Sequence, residues 1–232
     1  MLRKTNMKHL RFQCLSGLFL LLLLCGCEKR VSDIGDEGGG EIEGTGHLVS
    51  IQAVLPQNVL YENEYDEAYT PPASLGDYFQ RVTFAVFQDG ERRHLAHQQS
   101  GGSDFGIYQV RLEEGTYQLV IIAHNGTGNI TVTKPDEVKF PDNKVTETFY
   151  CYATLTVSGT TSKTYILKRA VAKIQFYCKD PMPDNVAQMK FYYTGGSSTF
   201  NAVTGLGCVN SRQTEYRTVT SEMIGHPVVF PL

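Results

Sequence analysis

The residues with the clearest chemical potential lie near the amino terminus, in the segment Leu24-Cys25-Gly26-Cys27. An apolar residue, a loosely defined position, a small residue and a cysteine follow one another in the order of a bacterial lipobox. The Cys27 thiol can accept a diacylglyceryl group, and cleavage after the small Gly26 frees the Cys27 amine for a further acyl chain such as palmitate. Because two or three acyl chains anchor a protein stably where one does not, the motif predicts lipid attachment at Cys27.

The segment before the lipobox has the order of an export signal. Four cations and no carboxylate precede the apolar run at 15–24, namely Arg3, Lys4, Lys8 and Arg11. The uncharged stretch at 12–27 is shorter than the ~20 apolar residues that a membrane-spanning helix needs. A charged start followed by an apolar centre is typical of a secretory signal. Residues 1–26 are therefore predicted to be a cleaved lipoprotein signal peptide. An ordinary secretory signal with incidental cysteines is the alternative.

The remaining reactive side chains do not form a catalytic or metal-binding motif. His94 and His97 are three residues apart, and a strand places such residues on opposite faces. The acidic segment at 62–67 lacks the spacing of a calcium loop, so a solvated loop is the favoured interpretation. The sequence also contains no Gly-x-Ser-x-Gly, phosphate-binding loop or dinucleotide-binding glycine motif. We predict that the protein is not an enzyme and needs no cofactor or metal.

Three cysteines besides Cys27 remain after the predicted cleavage: Cys151, Cys178 and Cys208. An odd number leaves at least one thiol unpaired, and the spacings match no zinc pattern. Each cysteine lies in or near a strand-like run, so buried free thiols are the favoured interpretation. One disulfide in an oxidising compartment is the alternative.

Charge and composition narrow the class of protein. The whole chain has 21 Lys and Arg against 24 Asp and Glu, and removal of residues 1–27 takes away four cations, leaving a net charge of −7. An acidic chain without basic clusters is a poor nucleic-acid binder. Abundant Tyr (13), Phe (12) and Gly (22) favour strands and turns over helices.

The chain after the lipobox divides into a tether and two predicted domains. Residues 27–46 are rich in Gly and charge and are predicted to be a flexible acidic tether. Their acidic residues resemble the short export signals of surface-exposed Bacteroidetes lipoproteins, although a plain solvated linker has the same composition. We predict an N-terminal β-sandwich at 47–160 and a C-terminal β-sandwich at 161–232.

Strand patterns run through both predicted domains, and no stretch has the periodicity of a long helix. The predicted strands lie at 47–55, 81–88, 94–98, 107–112, 116–123, 144–157, 164–178, 186–193 and 214–219. Asp89-Gly90 predicts a hairpin turn. The alternating run at 107–112 is interpreted as an edge-like strand beside a central strand at 116–123. The fold class is therefore all-β.

The second predicted domain has only three or four strand candidates, which leaves a sheet edge or groove open. We expect either that the sequence is cut short or that another chain supplies the missing strand.

Several segments resemble the FimB-type, fimbrillin-associated anchor lipoproteins of type V fimbriae in the Bacteroidales. The segments are FAVFQDGE at 84–91, GIYQVRLEEGTYQLVIIAHN at 106–125, LKRAVAKIQF at 167–176 and FYYTGGSSTF at 191–200. The resemblance implies two transthyretin-like β-sandwiches, a lipid anchor in the outer membrane and a place on a cell-surface fimbria. It also implies that neighbouring fimbrial subunits join by donating a strand, a form of β-augmentation.

Two functional hypotheses follow from these patterns. The first is a lipid-anchored structural subunit that anchors or caps a fimbria and joins neighbouring subunits by strand exchange. The second is a surface lipoprotein module that binds a glycan or host ligand, for which the Tyr-rich segment at 61–69 offers rigid amphipathic contact area. Strand exchange requires an open apolar groove, whereas a loop-binding module requires complete sandwiches and a side-chain site.

Overall fold

The computed structural model describes residues 44–56, 74–172 and 174–231, and the fold in these ranges is all-β. Beside the strands lie the four-residue helix α1 (Leu75–Tyr78) and two 3-10 turns at Pro141–Asn143 and Ser221–Met223. The predicted fold class is confirmed. The strands in chain order are β1 His47–Val54, β2 Arg81–Gln88, β3 Glu91–Gln99, β4 Ile107–Leu112, β5 Gly115–His124, β6 Thr131–Lys134, β7 Glu137–Lys139, β8 Thr148–Val157, β9 Thr161–Ile166, β10 Lys168–Arg169, β11 Gln175–Cys178, β12 Gln188–Gly196, β13 Thr199–Asn201, β14 Leu206–Gly207, β15 Ser211–Thr218 and β16 Val228–Pro231.

Three stacked sheets form what we call the three-layer body. The front sheet has the order β4-β1-β9, the central sheet β10-β8-β5-β2-β3 and the back sheet β14-β13-β7-β6. β1 and β9 pair in parallel, while the central pairs are antiparallel. The remaining strands form two separate pairs, β11–β16 and β12–β15, which we call the C-terminal ribbons.

The central sheet is buried on both faces, which explains its sequence. One face packs against β1 and β4 of the front sheet, where Ile51, Phe84 and Leu119 are fully buried. The other packs against the back sheet through Phe87 and Ile122. A strand covered on both sides needs apolar residues at successive positions, and β2 and β5 carry such runs. β4 covers the core with one face only, and its residues therefore alternate.

The hairpin predicted at Asp89-Gly90 is confirmed. Asp89 and Gly90 both have positive φ, at 55° and 78°, and they connect β2 to β3. Two successive residues with positive φ give a turn whose twist matches that of the flanking strands. The predicted strands at 81–88 and 107–112 are also found with the same bounds.

Two features of the predicted strand pattern were wrong. The run at 164–178 is not one strand, because the chain crosses from β9 in the front sheet to β10 in the central sheet at Leu167, whose side chain is fully buried between them. β4 and β5 do not lie side by side in one sheet: β4 pairs with β1, and β5 pairs with β2 and β8. The sharp turn at 113–115 therefore joins strands of two different sheets rather than two neighbouring strands of one sheet.

Strands of the three-layer body extend past residue 160, the predicted domain boundary. β9 pairs with β1 and β10 pairs with β8, so these sheets continue to Arg169. The back sheet also contains β13 and β14, which come from the chain between the two long strands of the β12–β15 ribbon. Phe200 of β13 and Ala202, which directly follows β13, are buried in the second core of the body.

Candidate subunit-contact site

The β11–β16 ribbon has an apolar inner face that packs on β12. Phe176 pairs with Phe230 across the ribbon. The ring centroid of Phe191 lies 5.5 Å from that of Phe176 and 5.6 Å from that of Phe230. These rings belong to or adjoin a small core formed by Met182, Phe191, Val219, Val228 and Phe230. The two ribbons thus pack face to face, with β11 and β16 against β12 and β15.

This core is open along β11. Phe230 is 2% exposed, but its partner Phe176 is 48% exposed and Ile174, two residues earlier, is 57% exposed. Among the described strands, β11 pairs only with β16. We call the exposed apolar surface made by Ile174 and Phe176 along β11 the β11 groove.

The β11 groove has the chemistry of a strand-binding site. The backbone of a strand carries N–H donors and C=O acceptors in a regular row, and in β-augmentation such a row pairs with an incoming strand. The exposed side chains of Ile174 and Phe176 lie beside that row, so alternate apolar residues of the incoming strand would extend the ribbon core. Two-stranded sheets are marginally stable alone, and an added strand would therefore stabilise this region.

A buried carboxylate ties the β12–β15 ribbon to the three-layer body. The side chain of Glu215 is 5% exposed, and its Oε1 lies 2.7 Å from Nζ of Lys144 in the body. The Tyr193 hydroxyl donates to the same oxygen at 3.0 Å, and Arg217 contacts Oε2. Burial alone would raise the pKa of Glu215, but hydrogen bonds from Lys144, Tyr193 and Arg217 outweigh it and hold the pKa below its usual value.

A second polar cluster fixes the end of the body from which the chain leaves for β11. Arg169 on β10 donates to Oε1 of Glu147 at 2.6 Å and to the Tyr78 hydroxyl at 3.0 Å. Tyr78 in turn donates to the same Glu147 oxygen at 2.6 Å, and the Arg169 guanidinium lies 4.5 Å from the Phe149 ring centroid. Burial and the hydrogen bond to Glu147 raise the pKa of Tyr78 to about 12. The hydroxyl therefore stays protonated as a donor.

The predicted lipid site lies outside the described residues. Cys27 and the lipobox residues Leu24, Cys25 and Gly26 precede the first described residue, and so does most of the predicted tether. The Tyr-rich and acidic segment at 61–69 also lies outside the described ranges. Lipid attachment and signal cleavage remain predictions.

The three cysteines of the described part are free thiols, but they are not equally buried. Cys151 and Cys178 are half-buried, and burial raises the pKa of the Cys151 thiol. Cys208 is exposed, so its predicted burial was wrong. It follows β14, a two-residue strand at the edge of the back sheet, where none of the described sheets covers it.

Other surfaces of the described part have fewer features of a ligand-binding site. A recess of about 330 Å³ lies between the turn after β2 and the end of β6, and its Arg93 and Glu91 side chains pair at 3.1 Å in solvent. Within the described ranges, no three His, Cys, Asp or Glu residues are grouped for a metal ion. In the same ranges, no helix is both long and apolar enough to cross a membrane.

The sequence pattern of one protein family covers most of the chain. The family described as the fimbrillin-A-associated anchor proteins Mfa1 and Mfa2 matches residues 56–226. The chain therefore belongs to this family, and the resemblance found from its sequence segments is confirmed. The family is one of fimbria-associated structural proteins rather than enzymes. No match is found among curated protein sequences.

Several solved structures are similar to this chain at low sequence identity. A Bacteroides thetaiotaomicron protein described as a candidate adhesin has a TM-score of 0.50 and 14% identity, over 81% of this chain and 70% of its own. A candidate polysaccharide-binding protein from the same organism has a TM-score of 0.48 and 14% identity over 72% of this chain, which spans 64% of that protein. The fimbrial anchor protein Mfa2 of Porphyromonas gingivalis has a TM-score of 0.47 and 14% identity, over 81% of this chain and 73% of its own.

Sequence reasoning did not locate the β11 groove. The small number of strand candidates in the second half predicted an open edge, but not which strand bears it. The pattern at 164–178 predicts one strand, so it does not separate β11 from β9, which belongs to the front sheet. The exposed apolar pair Ile174 and Phe176 could have been recognised only once the pairing of β11 was known.

Proposed function

We propose that this protein is a lipid-anchored structural subunit of a cell-surface fimbria, held in the outer membrane through Cys27 and joined to a neighbouring fimbrial subunit by strand exchange. Family membership supports the fimbrial role. The lipobox at residues 24–27 supports the anchor. The observation that carries the strand exchange is the β11 groove, where the apolar side chains of Ile174 and Phe176 are more than two-fifths exposed along a strand.

The proposed contact uses backbone and side chains together. An incoming strand would pair with β11 and convert the β11–β16 ribbon into a three-stranded sheet over β12 and β15. Its inward side chains would cover Ile174 and Phe176, which gives specificity to a contact whose affinity comes from main-chain hydrogen bonds.

The anchor is tested by comparing the wild-type protein with Cys27→Ala. Membranes are solubilised in detergent, the tagged protein is captured, and co-purified chains are identified by mass spectrometry. We expect fimbrial subunits with the wild type, and release of the same assembly into the medium with Cys27→Ala. A lipidated protein that is captured without any fimbrial subunit, whether alone or with glycan or host ligands, would contradict the fimbrial role and favour the binding-module alternative.

The groove is tested by Ile174→Glu, which places a charge among the apolar side chains that a donated strand would cover. The matched control is Val229→Glu on β16, since Val229 is 38% exposed on the opposite face of the same ribbon. We expect Ile174→Glu to lose the co-purified subunit while Val229→Glu retains it. Equal recovery with both variants would contradict the proposed contact.

A further inference from the structure

The outward face of the β12–β15 ribbon carries three directly opposed pairs of exposed side chains. The pairs are Gln188–Thr218, Lys190–Tyr216 and Tyr192–Thr214. We call these six residues the outer ribbon face. Tyr192 is 57% exposed and Tyr216 is 53% exposed, and no other aromatic side chain belongs to this face.

The two tyrosines are diagonal neighbours, because the direct partner of Tyr192 lies two residues before Tyr216 on β15. Diagonal neighbours on one sheet face lie within reach of one another when they are aromatic. The Lys190 ammonium lies 6.0 Å from the Tyr216 ring centroid. The ribbon thus presents two adjacent aromatic surfaces with hydroxyl tips.

The composition of this face differs from that of a face built to pack inside a protein. The inner face of the same ribbon carries Met189 and Phe191, which belong to or line the ribbon core. Beside the outer tyrosines, the same face carries hydroxyl, amide and ammonium groups, each of which would need a hydrogen-bond partner if it were buried. A sugar matches both the aromatic surfaces and the polar groups of this face. Its pyranose ring has an apolar C–H side that can stack on tyrosine and a rim of hydroxyls that can form hydrogen bonds.

The charge of the outer ribbon face indicates which class of sugar it would bind. None of its six side chains is a carboxylate, Lys190 is a cation, and the exposed cation Arg212 lies two residues before Thr214 on β15. The chain as a whole has a net charge of −3, so this ribbon is positive within an acidic protein. Complementary charge favours an anionic partner. We propose that the outer ribbon face binds an oligosaccharide that carries carboxylates, such as a chain of uronic acids.

This site is independent of the β11 groove, which lies on the other ribbon, and its test does not require a fimbrial partner. The full chain in detergent is titrated with oligogalacturonate, and with the same oligosaccharide as its methyl ester, by isothermal titration calorimetry. We expect the acid to bind more tightly than the ester. The double variant Tyr192→Ala, Tyr216→Ala should weaken binding of the acid by at least roughly tenfold, as for other central aromatic contacts.

Two further variants separate stacking from charge. Lys190→Gln with Arg212→Gln should bring the affinity for the acid down to that for the ester. Tyr177→Ala, which removes a tyrosine that is 43% exposed on the other ribbon, should leave binding unchanged. Absence of binding to the acid, binding that is insensitive to the loss of Tyr192 and Tyr216, or equal affinity of the wild type for acid and ester would overturn the proposal. Unchanged circular dichroism of each variant confirms that it has folded.

Discussion

The three-layer body and the C-terminal ribbons contain similar strand residues but bury them to different extents. In the body the central sheet lies between two others, and Phe84 on β2 has no exposed surface. In the ribbons two strands face two, and Phe176 on β11 is 48% exposed. A sheet buries its apolar face only where another layer covers it. The number of covering strands, more than the residue types, therefore sets how much of each region is buried.

The body itself is completed by a strand from elsewhere in the sequence. β13 pairs with β7 at 199–200 and 138–139, and it places Phe200 against Tyr150 with ring centroids 4.8 Å apart. The two long strands of the β12–β15 ribbon flank this insertion in the sequence. Within one chain, then, a sheet core is closed by a strand added to a free edge. We propose that the β11 groove is closed in the same way, by a strand from a neighbouring subunit.

The largest effect is expected in the core between the front and central sheets. Phe84 stacks on Tyr108 with ring centroids 5.4 Å apart and is fully buried. Phe84→Ala should lower the free energy of unfolding by about 3–5 kcal/mol, because the loss of a buried ring leaves a cavity in a packed core. Urea unfolding of the full chain, followed by circular dichroism, measures this change. A loss below about 1 kcal/mol would show that the body is not the better-packed region.

A buried histidine should make the body sensitive to acid. His124 is fully buried, its Nδ1 accepts a hydrogen bond from the Gly126 N–H at 3.0 Å, and its Nε2 has no partner among the described residues. Burial, with smaller contributions from Arg81 and His97, lowers the pKa of His124 to about 4 from 6.5. The folded state therefore holds fewer protons than the unfolded chain between these values.

The sign of the pH effect follows from that difference in bound protons. Stability should be fully present above pH 6.5 and should fall as the pH drops from 6.5 to 4, by up to about 3 kcal/mol. Urea unfolding at several pH values measures the slope for the wild type and for His124→Leu. The variant should have a flatter profile in this range. If the two slopes are equal, His124 is not the group that titrates.

Substitution of Glu215 tests how much its contacts with Lys144 and Arg217 contribute to the free energy of unfolding. Glu215→Gln removes the charge that faces Lys144 and Arg217 and should cost about 2 kcal/mol, the value of hydrogen bonds that involve a charged group. Glu137 forms an exposed ion pair with Lys139 at 2.9 Å, and Glu137→Gln should change stability little because solvent screens such pairs. Urea unfolding compares the two variants. Equal effects would mean that the buried carboxylate contributes no more than a surface pair.

The two regions also differ in how much of their structure could be predicted from sequence. In the body, the bounds of β2 and β4 were predicted correctly. Burial on both faces gives β2 a continuous apolar pattern, and burial on one face gives β4 an alternating pattern. β13 and β14 have three and two residues, too few for any periodicity. They are strands only because β13 pairs with the edge of β7 and β14 pairs with β13. The lipobox is a continuous motif that can be recognised in the sequence, whereas the β11 groove depends on pairing between residues 50 or more positions apart.

The smallest expected change in stability is at the groove. Phe176→Ala removes a ring that is almost half exposed and contacts Phe191 on one side. In the isolated full chain it should lower the free energy of unfolding by less than about 1 kcal/mol, since little apolar area is lost and no closed cavity forms. In a chain co-purified with a fimbrial subunit, the same substitution should cost more, because a donated strand would bury the ring. Urea unfolding of both samples separates the two cases. A loss in the isolated chain as large as that of Phe84→Ala would mean that the ribbon core is already closed, and the β11 groove would then have no need of a strand.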